Sequence, residues 1–470
     1  MWLYGPLHIF VLYVALSNLG WLYGTLFVLI LIKVTDKLLD KIGYVRFNHG
    51  DLLMTFEKPG VHQNLGVYFT VQKIDYEKFK EEIYNRGILH IRKLNQIRAH
   101  FLGMSFWKDT NFEIAKAQIK KCTKDIKTDQ QCVEYVNELL NEQMPIDKPQ
   151  WEMYFLEDFS EEESVIFMKM HHCFTDAMGF VGMLSFLHDN QLSFKADKKF
   201  PILSILERVF FTIVGPVYTL YLVLYMCLIP QDKNSVKINE LKQKDTFNNR
   251  VYASEEFQFD TLRKCYKRFK GTTFNDYFLG ILSKGFDTWF KKSGITGAEF
   301  IKTLVTINMR ELPKSKSEFR IENDTSALKF GLPLNSGLQE AVEGAQKGFR
   351  SLFNKFSTTS IGYSLYLMPY LPEICGKLLM TYLYHQADCL FSNIPISADP
   401  WYLCNREAQK FGFFAHTHHE WKLFIVVTTY KERLRVTLSA NENLKMDPQV
   451  LLDSVSDTLR QEIAQLNKLS

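Results

Sequence analysis

The first 32 residues contain no Asp, Glu, Lys or Arg. A segment this long and this apolar cannot stay exposed to water. It must be covered by protein or by lipid. As one helix it would reach about 48 Å, against the roughly 30 Å of a bilayer core. Ser17-Asn18 and Gly20 offer a place to break or tilt. No basic residue precedes the run, which argues against a cleaved secretory signal. Lys33, Lys37 and Lys41 follow it at once. By the positive-inside rule they place the rest of the chain on the cytosolic side.

A second charge-free run, Val209–Pro230, is also long enough to span. Basic residues flank both ends, and Gly215-Pro216 interrupts it. A single crossing would put the two halves of the chain on opposite membrane faces. The expectation is therefore a re-entrant or interfacial hairpin, with a buried core helix as the other option. The polar stretch to about residue 250 reads as a linker. Another apolar-aromatic stretch, Ile361–Tyr384, carries Pro369 and Pro372 and suits a membrane surface, part of a substrate tunnel or a core helix.

The remaining sequence alternates strand and helix patterns. Leu65–Val71 and Val165–Met170 read as strands, and Tyr76–Asn85 and Asp176–His188 as helices. In the second half, Thr303–Asn308, Phe424–Thr429 and Leu434–Leu438 read as strands. Phe274–Lys291 and Pro448–Leu466 read as helices. Thr273 and Asp276 match a capping box. The fold class is α/β, in two halves of similar size. The expected division is a hydrophobic segment over 1–40, a first half over 41–197, a hairpin and linker over 198–250, and a second half over 251–470.

Some functions are excluded by composition. The net charge is only +4 over 470 residues, and no lysine- or arginine-dense block occurs, so nucleic acid is not expected as a partner. The eight cysteines are scattered with no Cys-x-x-Cys, which suits a reducing compartment and no zinc ribbon. No Gly-x-Ser-x-Gly, Walker A or Gly-x-Gly-x-x-Gly is present. The cluster His416-Thr417-His418-His419 has the look of a metal site but lacks a partner group, so no metal is expected.

Residues 171–179, His-His-Cys-Phe-Thr-Asp-Ala-Met-Gly, follow the strand Val165–Met170. A histidine at a strand end can serve as a general base near neutral pH. A buried, satisfied histidine is the other fate open to it. Asp176 can orient the loop or simply cap the next helix. His171 is a neighbour of the base rather than a second one. Cys173 has no base arranged to activate it.

The order of motifs around this pair resembles the wax ester synthase/diacylglycerol acyltransferase family, which belongs with the carnitine acyltransferase-like and condensation-domain enzymes. Pro149-Gln150-Trp151-Glu152 is similar to the family's Pro-Leu-Trp-Glu, and Pro145-Ile146-Asp147 to its Pro-Leu-Asp. Trp107, Thr110 and Phe112 resemble its Trp-x-x-Asp-x-x-Phe, with the acid one place early at Asp109. Gly271–Asp276, Val305–Arg310 and Ser392-Asn393-Ile394-Pro395 resemble three motifs of its second half. The likeness covers roughly 45–470, apart from the 200–250 insertion.

The resemblance implies two acyltransferase-like α/β sandwich halves with mixed sheets, joined by N-terminal and central membrane-associated helices. It implies His172 as base, with Asp176 and His171 beside it. Asn275, Ser392, Asn393 and Gly179 become candidate substrate contacts, with Asn275 near the developing oxyanion. Arg310, as partner of Asp176, and Trp151 become structural supports. The implied reaction joins the acyl group of acyl-CoA, a co-substrate, to a long-chain alcohol or diacylglycerol. No cofactor is expected. The expected location is a membrane: endoplasmic reticulum, lipid droplet or mitochondrial. Ala177 and Ile396 depart from the family pattern, where Gly is usual. That leaves an inactive subunit of a membrane assembly as the alternative.

Overall fold

The computed structural model describes residues 30–469, together with Tyr23 and Phe27. It leaves out 58–59, 102–103, 190–203, 229–237, 239, 243–246, 311–318, most of 353–386, and 418–421. The sequence expectations for residues 1–22 and for most of Ile361–Tyr384 therefore lie outside the described residues.

The first half runs β1 (Tyr44–Arg46), α1 (His49–Leu53), β2 (Asn64–Gln72), β3 (Gln96–Phe101), β4 (Met104–Asp109) and β5 (Ile119–Lys121). It continues with α2 (Asp129–Asn141), β6 (Trp151–Leu156), β7 (Glu163–His171) and α3 (Ala177–Leu187). β2 and β7 are apolar and buried along nearly their whole length, so both of their faces are covered by protein. The second half follows α4 (Ile205–Leu228) and comprises β8 (Asn249–Gln258), α5 (Phe274–Lys292), β9 (Phe300–Asn308), β10 (Thr325–Pro333) and α6 (Leu338–Leu352). β11 (Cys389–Ser397), β12 (Tyr402–Leu403), β13 (Arg406–Ala415), β14 (Leu423–Tyr430), β15 (Arg433–Asn441) and α7 (Pro448–Leu469) complete it.

Two six-stranded sheets carry these halves. One has the order β10-β9-β11-β14-β15-β8, in which β11 runs parallel to both β9 and β14 and the other pairs are antiparallel. The other has the order β12-β13-β2-β7-β6-β5. Its first two strands come from the second half of the chain: Phe413 pairs with Val67 and Phe411 with Phe69. The two halves are thus tied by main-chain hydrogen bonds as well as by side chains. A small sheet β1-β4-β3 lies apart from both.

α5 begins at the capping box of Thr273 and Asp276, and both reciprocal bonds are present. Its apolar side, with Phe278, Ile281 and Trp289, fills a core shared with β9, β11 and β14. In the first half the core closes over Phe69, Trp151, Phe155 and Phe180.

The hairpin expected over Val209–Pro230 gives way to one helix. α4 runs through Gly215-Pro216 without a break. A proline removes only one helical hydrogen bond, and the leucines that follow it are good helix formers. Among the described residues no helix is long and apolar enough to cross a membrane.

Candidate active site

The site forms where the C-terminal end of β7 meets the segment that leads into β10. His171 is the last residue of β7 and lies opposite Asn64 of β2. His172 begins the following turn, and its amide donates to the Gln63 carbonyl at 2.6 Å. His171 is buried, whereas His172 keeps part of its surface open.

Asn323 reaches His172 from the other half of the chain. Its Nδ2 donates to the His172 carbonyl at 2.7 Å and to Asp51 Oδ1 at 2.9 Å. Both of those partners are acceptors, so the amide orientation is fixed. Its Oδ1 then faces His172 Nδ1 at 3.0 Å, and the imidazole must be the donor there. The proton therefore sits on Nδ1, and Nε2 carries the free lone pair. Burial pushes the His172 pKa below its usual value, against its own carbonyl, Asp176 and the Asn323 bond, which favour the charged ring. At neutral pH the ring is unprotonated.

Asn323 is itself held. Asp51 Oδ1 also accepts the Asn323 amide at 2.9 Å. Asp51 Oδ2 accepts from Lys93 at 2.5 Å and from the Trp107 indole at 2.9 Å. α1, which carries Asp51, can approach this closely because residue 50 is glycine. A Cβ there would fall 2.2 Å from the Asn323 carbonyl oxygen.

Asp176 caps α3 through the Gly179 amide at 2.8 Å. It also pairs with Arg310 of the second half at 2.8 Å, with both side chains buried. Its other oxygen accepts from the Asp324 amide at 2.9 Å and the Thr325 hydroxyl at 2.6 Å. Burial alone would raise the Asp176 pKa, but Arg310 and these donors hold it below the usual carboxylate value. The cap and the cross-half ion pair, weighed as alternatives in the sequence, are present together. Asp324 has the opposite balance. Burial, with Glu322 and Asp176 nearby, raises its carboxyl to about 6 despite Arg310. His49, 3.7 Å from Asp324, is pushed down to about 4 by burial.

His171 turns away from this network. Its Nε2 lies 2.8 Å from Glu57, whose same oxygen accepts the Gln63 amide at 2.7 Å. The Cys173 amide points at His171 Nδ1 at 3.1 Å. Its Nε2 donates to Glu57, and although burial opposes the charge, Cys173 and Glu57 raise the His171 pKa to about 9. Burial acts to raise the Glu57 pKa, and His171 and the Gln63 amide outweigh it and lower the value. This staple fixes the turn before and after His172.

The other expected site residues are placed as follows. Asn275, in the first turn of α5, accepts from Asn393 of β11 at 2.7 Å. Ser392 Oγ accepts from Thr306 at 2.9 Å. The Gly179 amide is engaged by Asp176 and is not free for a substrate. A Cβ at Gly179 would lie 2.2 Å from Thr175 Oγ1, so its role is close packing. Trp151 is fully buried and donates to the Leu94 carbonyl at 3.0 Å. Ala177 opens α3 without a positive φ, so the departure from glycine carries no strain. Ile396 is buried in the core of the first half. His416 is buried and bonded to the Thr417 carbonyl at 2.7 Å, while His418 and His419 lie outside the described residues. The described cysteines with free thiols, Cys173 among them, are all buried.

Sequence reading missed Asn323, Asp51 and Glu57. The Glu322-Asn323-Asp324 triplet just before a strand was the available signal for the first. Nothing local marks the other two, because their partners lie far away in the chain.

Comparisons with known proteins bear on the family and the fold. Residues 35–201 match the model of the wax ester synthase/diacylglycerol acyltransferase catalytic domain. Residues 323–462 match the C-terminal domain of the same family. Together they cover more than half of the chain. No curated protein matches this sequence. Among solved structures, a wax ester synthase/diacylglycerol acyltransferase from Marinobacter aquaeolei VT8 is similar, with a TM-score of 0.61 at 15% identity, over 90% of this chain and 99% of that one. A trichothecene 15-O-acetyltransferase from Fusarium sporotrichioides gives 0.64 at 11% identity, over 90% and 95%. The starter condensation domain of rhizomide synthetase, solved with C8-CoA and Leu-SNAC, gives 0.60 at 10% identity, over 91% and 95%. At these identities the structures speak for the fold alone. The two matching domain models, with the fold they share, show that the chain belongs to the wax ester synthase/diacylglycerol acyltransferase family.

Proposed function

We propose that this protein is a membrane-attached O-acyltransferase that moves a fatty acyl group from acyl-CoA to a long-chain alcohol or a diacylglycerol, giving wax ester or triacylglycerol. The observation that carries the reading is the Asn323 contact that holds the proton on His172 Nδ1 and leaves Nε2 as the base.

In this reading Nε2 takes the hydroxyl proton as the alcohol oxygen attacks the thioester carbonyl. The tetrahedral intermediate then collapses and expels the CoA thiolate. The imidazolium returns its proton to that sulfur, so the ring ends as it began. A positioned base of this kind contributes about 10²–10⁴-fold, and holding both substrates together lowers the entropic barrier further. Asp176 is too fully engaged to exchange protons; its charge favours the imidazolium from a distance. Asn275 has its oxygen occupied by Asn393, and in this reading its amide nitrogen donates to the oxyanion. No cofactor takes part. The apolar segments would hold the enzyme at the cytosolic face of the endoplasmic reticulum, a lipid droplet or a mitochondrial membrane, where acceptor and product reside.

The test is incubation of the purified protein with labelled acyl-CoA and a panel of long-chain alcohols and diacylglycerol. Labelled neutral ester with at least one acceptor is the expected result. No ester with any acceptor, from folded protein, would overturn the reading.

A further inference from the structure

The helical residues 30–41 divide into three faces at 100° per residue. Ile30, Leu31, Val34 and Leu38 share an outward arc of about 100° and are 43–58% exposed. Lys33, Lys37 and Lys41 run along one edge of that arc, all exposed. Asp36 lies opposite the apolar arc and Asp40 beside the lysine edge, and both tie the helix to the body of the protein. Asp36 pairs with Arg46 at 2.7 Å and Asp40 with Arg92 at 2.6 Å. The helix therefore lies along the protein with its acidic side bound and its apolar and basic sides outward.

α4 repeats the apolar part of this pattern. Leu206, Val209, Ile213, Val217 and Leu220 are 53–82% exposed and fall within an arc of about 80°. Phe211 and Gly215, on the opposite side, are buried. A soluble chain seldom leaves two such stripes bare.

We infer that residues 30–41 lie in the plane of an anionic lipid surface. The apolar arc enters the acyl boundary, Lys33, Lys37 and Lys41 meet the acidic headgroups, and the exposed arc of α4 offers a second apolar stripe to lipid. The lysine row is what selects lipid over a second copy of the chain, since two such rows would repel each other, whereas acidic headgroups complement them. The inference deepens the membrane attachment proposed above: it rests on that reading, and names the lipid charge and the residues that meet it.

The test is flotation of the full chain with vesicles of phosphatidylcholine alone and of phosphatidylcholine with phosphatidylserine. Wild type should bind the anionic vesicles more tightly, and less so at high salt. The K33Q/K37Q/K41Q variant should lose on the order of 100-fold for anionic vesicles, at about fivefold per lysine, with neutral vesicles unaffected. I213Q/V217Q should weaken binding to both kinds more than tenfold. Equal affinity for the two vesicle types, unchanged in the lysine variant, would overturn the inference. So would a chain that ignores vesicles and sediments as a dimer broken by I213Q/V217Q. Acyl transfer to a soluble short-chain alcohol is measured on the same samples. Transfer that persists without vesicle binding sinks the docking surface alone, and binding without transfer sinks the catalytic reading alone.

Discussion

Replacing Asn323 with alanine isolates the step that turns His172 into a base. The change removes the acceptor 3.0 Å from Nδ1 and the donor 2.7 Å from the His172 carbonyl. The ring is then free to rotate or to move its proton to Nε2, and most of the lower part of the 10²–10⁴-fold contribution of a positioned base is lost. We expect kcat/KM to fall about 10²-fold, or about 3 kcal/mol. Stability should fall by only ~2 kcal/mol. Asp51 keeps Lys93, Trp107 and the backbone amide of residue 323. Rates with labelled acyl-CoA across pH, beside thermal unfolding, give both readings. The Asn323 bond favours the charged ring. Its removal should therefore move the acid limb of the pH–rate profile lower, and N323D, with a carboxylate against Nδ1, should move it higher. A destabilised N323A with unchanged kcat and an unchanged acid limb would refute the reasoning and leave Asn323 a purely structural residue.

Three further outcomes follow from the same geometry. The base must be unprotonated, and its pKa is lowered, so wild-type activity should hold level through neutrality and fall only on the acid side of 6.5, as a pH–rate profile will show. Arg310→Ala strands a buried carboxylate and should cost about 3–5 kcal/mol in unfolding experiments. Because the Asp176 pKa is depressed in the folded protein, that stabilisation is present above 3.8 and lost as pH falls through the folded value. Asp324→Asn should stabilise the protein, since folding raises this carboxyl from 3.8 to about 6. The ionised form opposes folding, so the gain approaches about 3 kcal/mol at pH 7 and vanishes below 3.8, measured as the difference in unfolding free energy across pH.

The chain itself displayed the elements built from local signals. The apolar runs at Leu65–Val71 and Val165–Met170 became β2 and β7, with one or two residues added at the ends. Thr273 and Asp276 marked the start of α5 by side-chain chemistry alone. Asp176 stood where a helix cap belongs, and its pairing with Arg310 came from the family likeness rather than from spacing. The long-range pieces were not visible. Nothing near Arg406–Ala415 announces that it will complete the sheet of the first half beside β2. Asn323 and His172 are 151 residues apart, and no periodicity links them. Gly215-Pro216 was misleading for a physical reason. Its helix-breaking tendency is a local preference, and the run of helix-forming leucines after it carries the helix through.

The central claim is that His172 Nε2 takes the proton of the acceptor hydroxyl. The most direct measurement compares ester formation from labelled acyl-CoA by wild type, H172Q and H171Q at one pH, each shown to be folded. The account predicts a loss of at least about 10²-fold for H172Q and a smaller, stability-linked loss for H171Q. Ester formation by H172Q at a rate near wild type would contradict it.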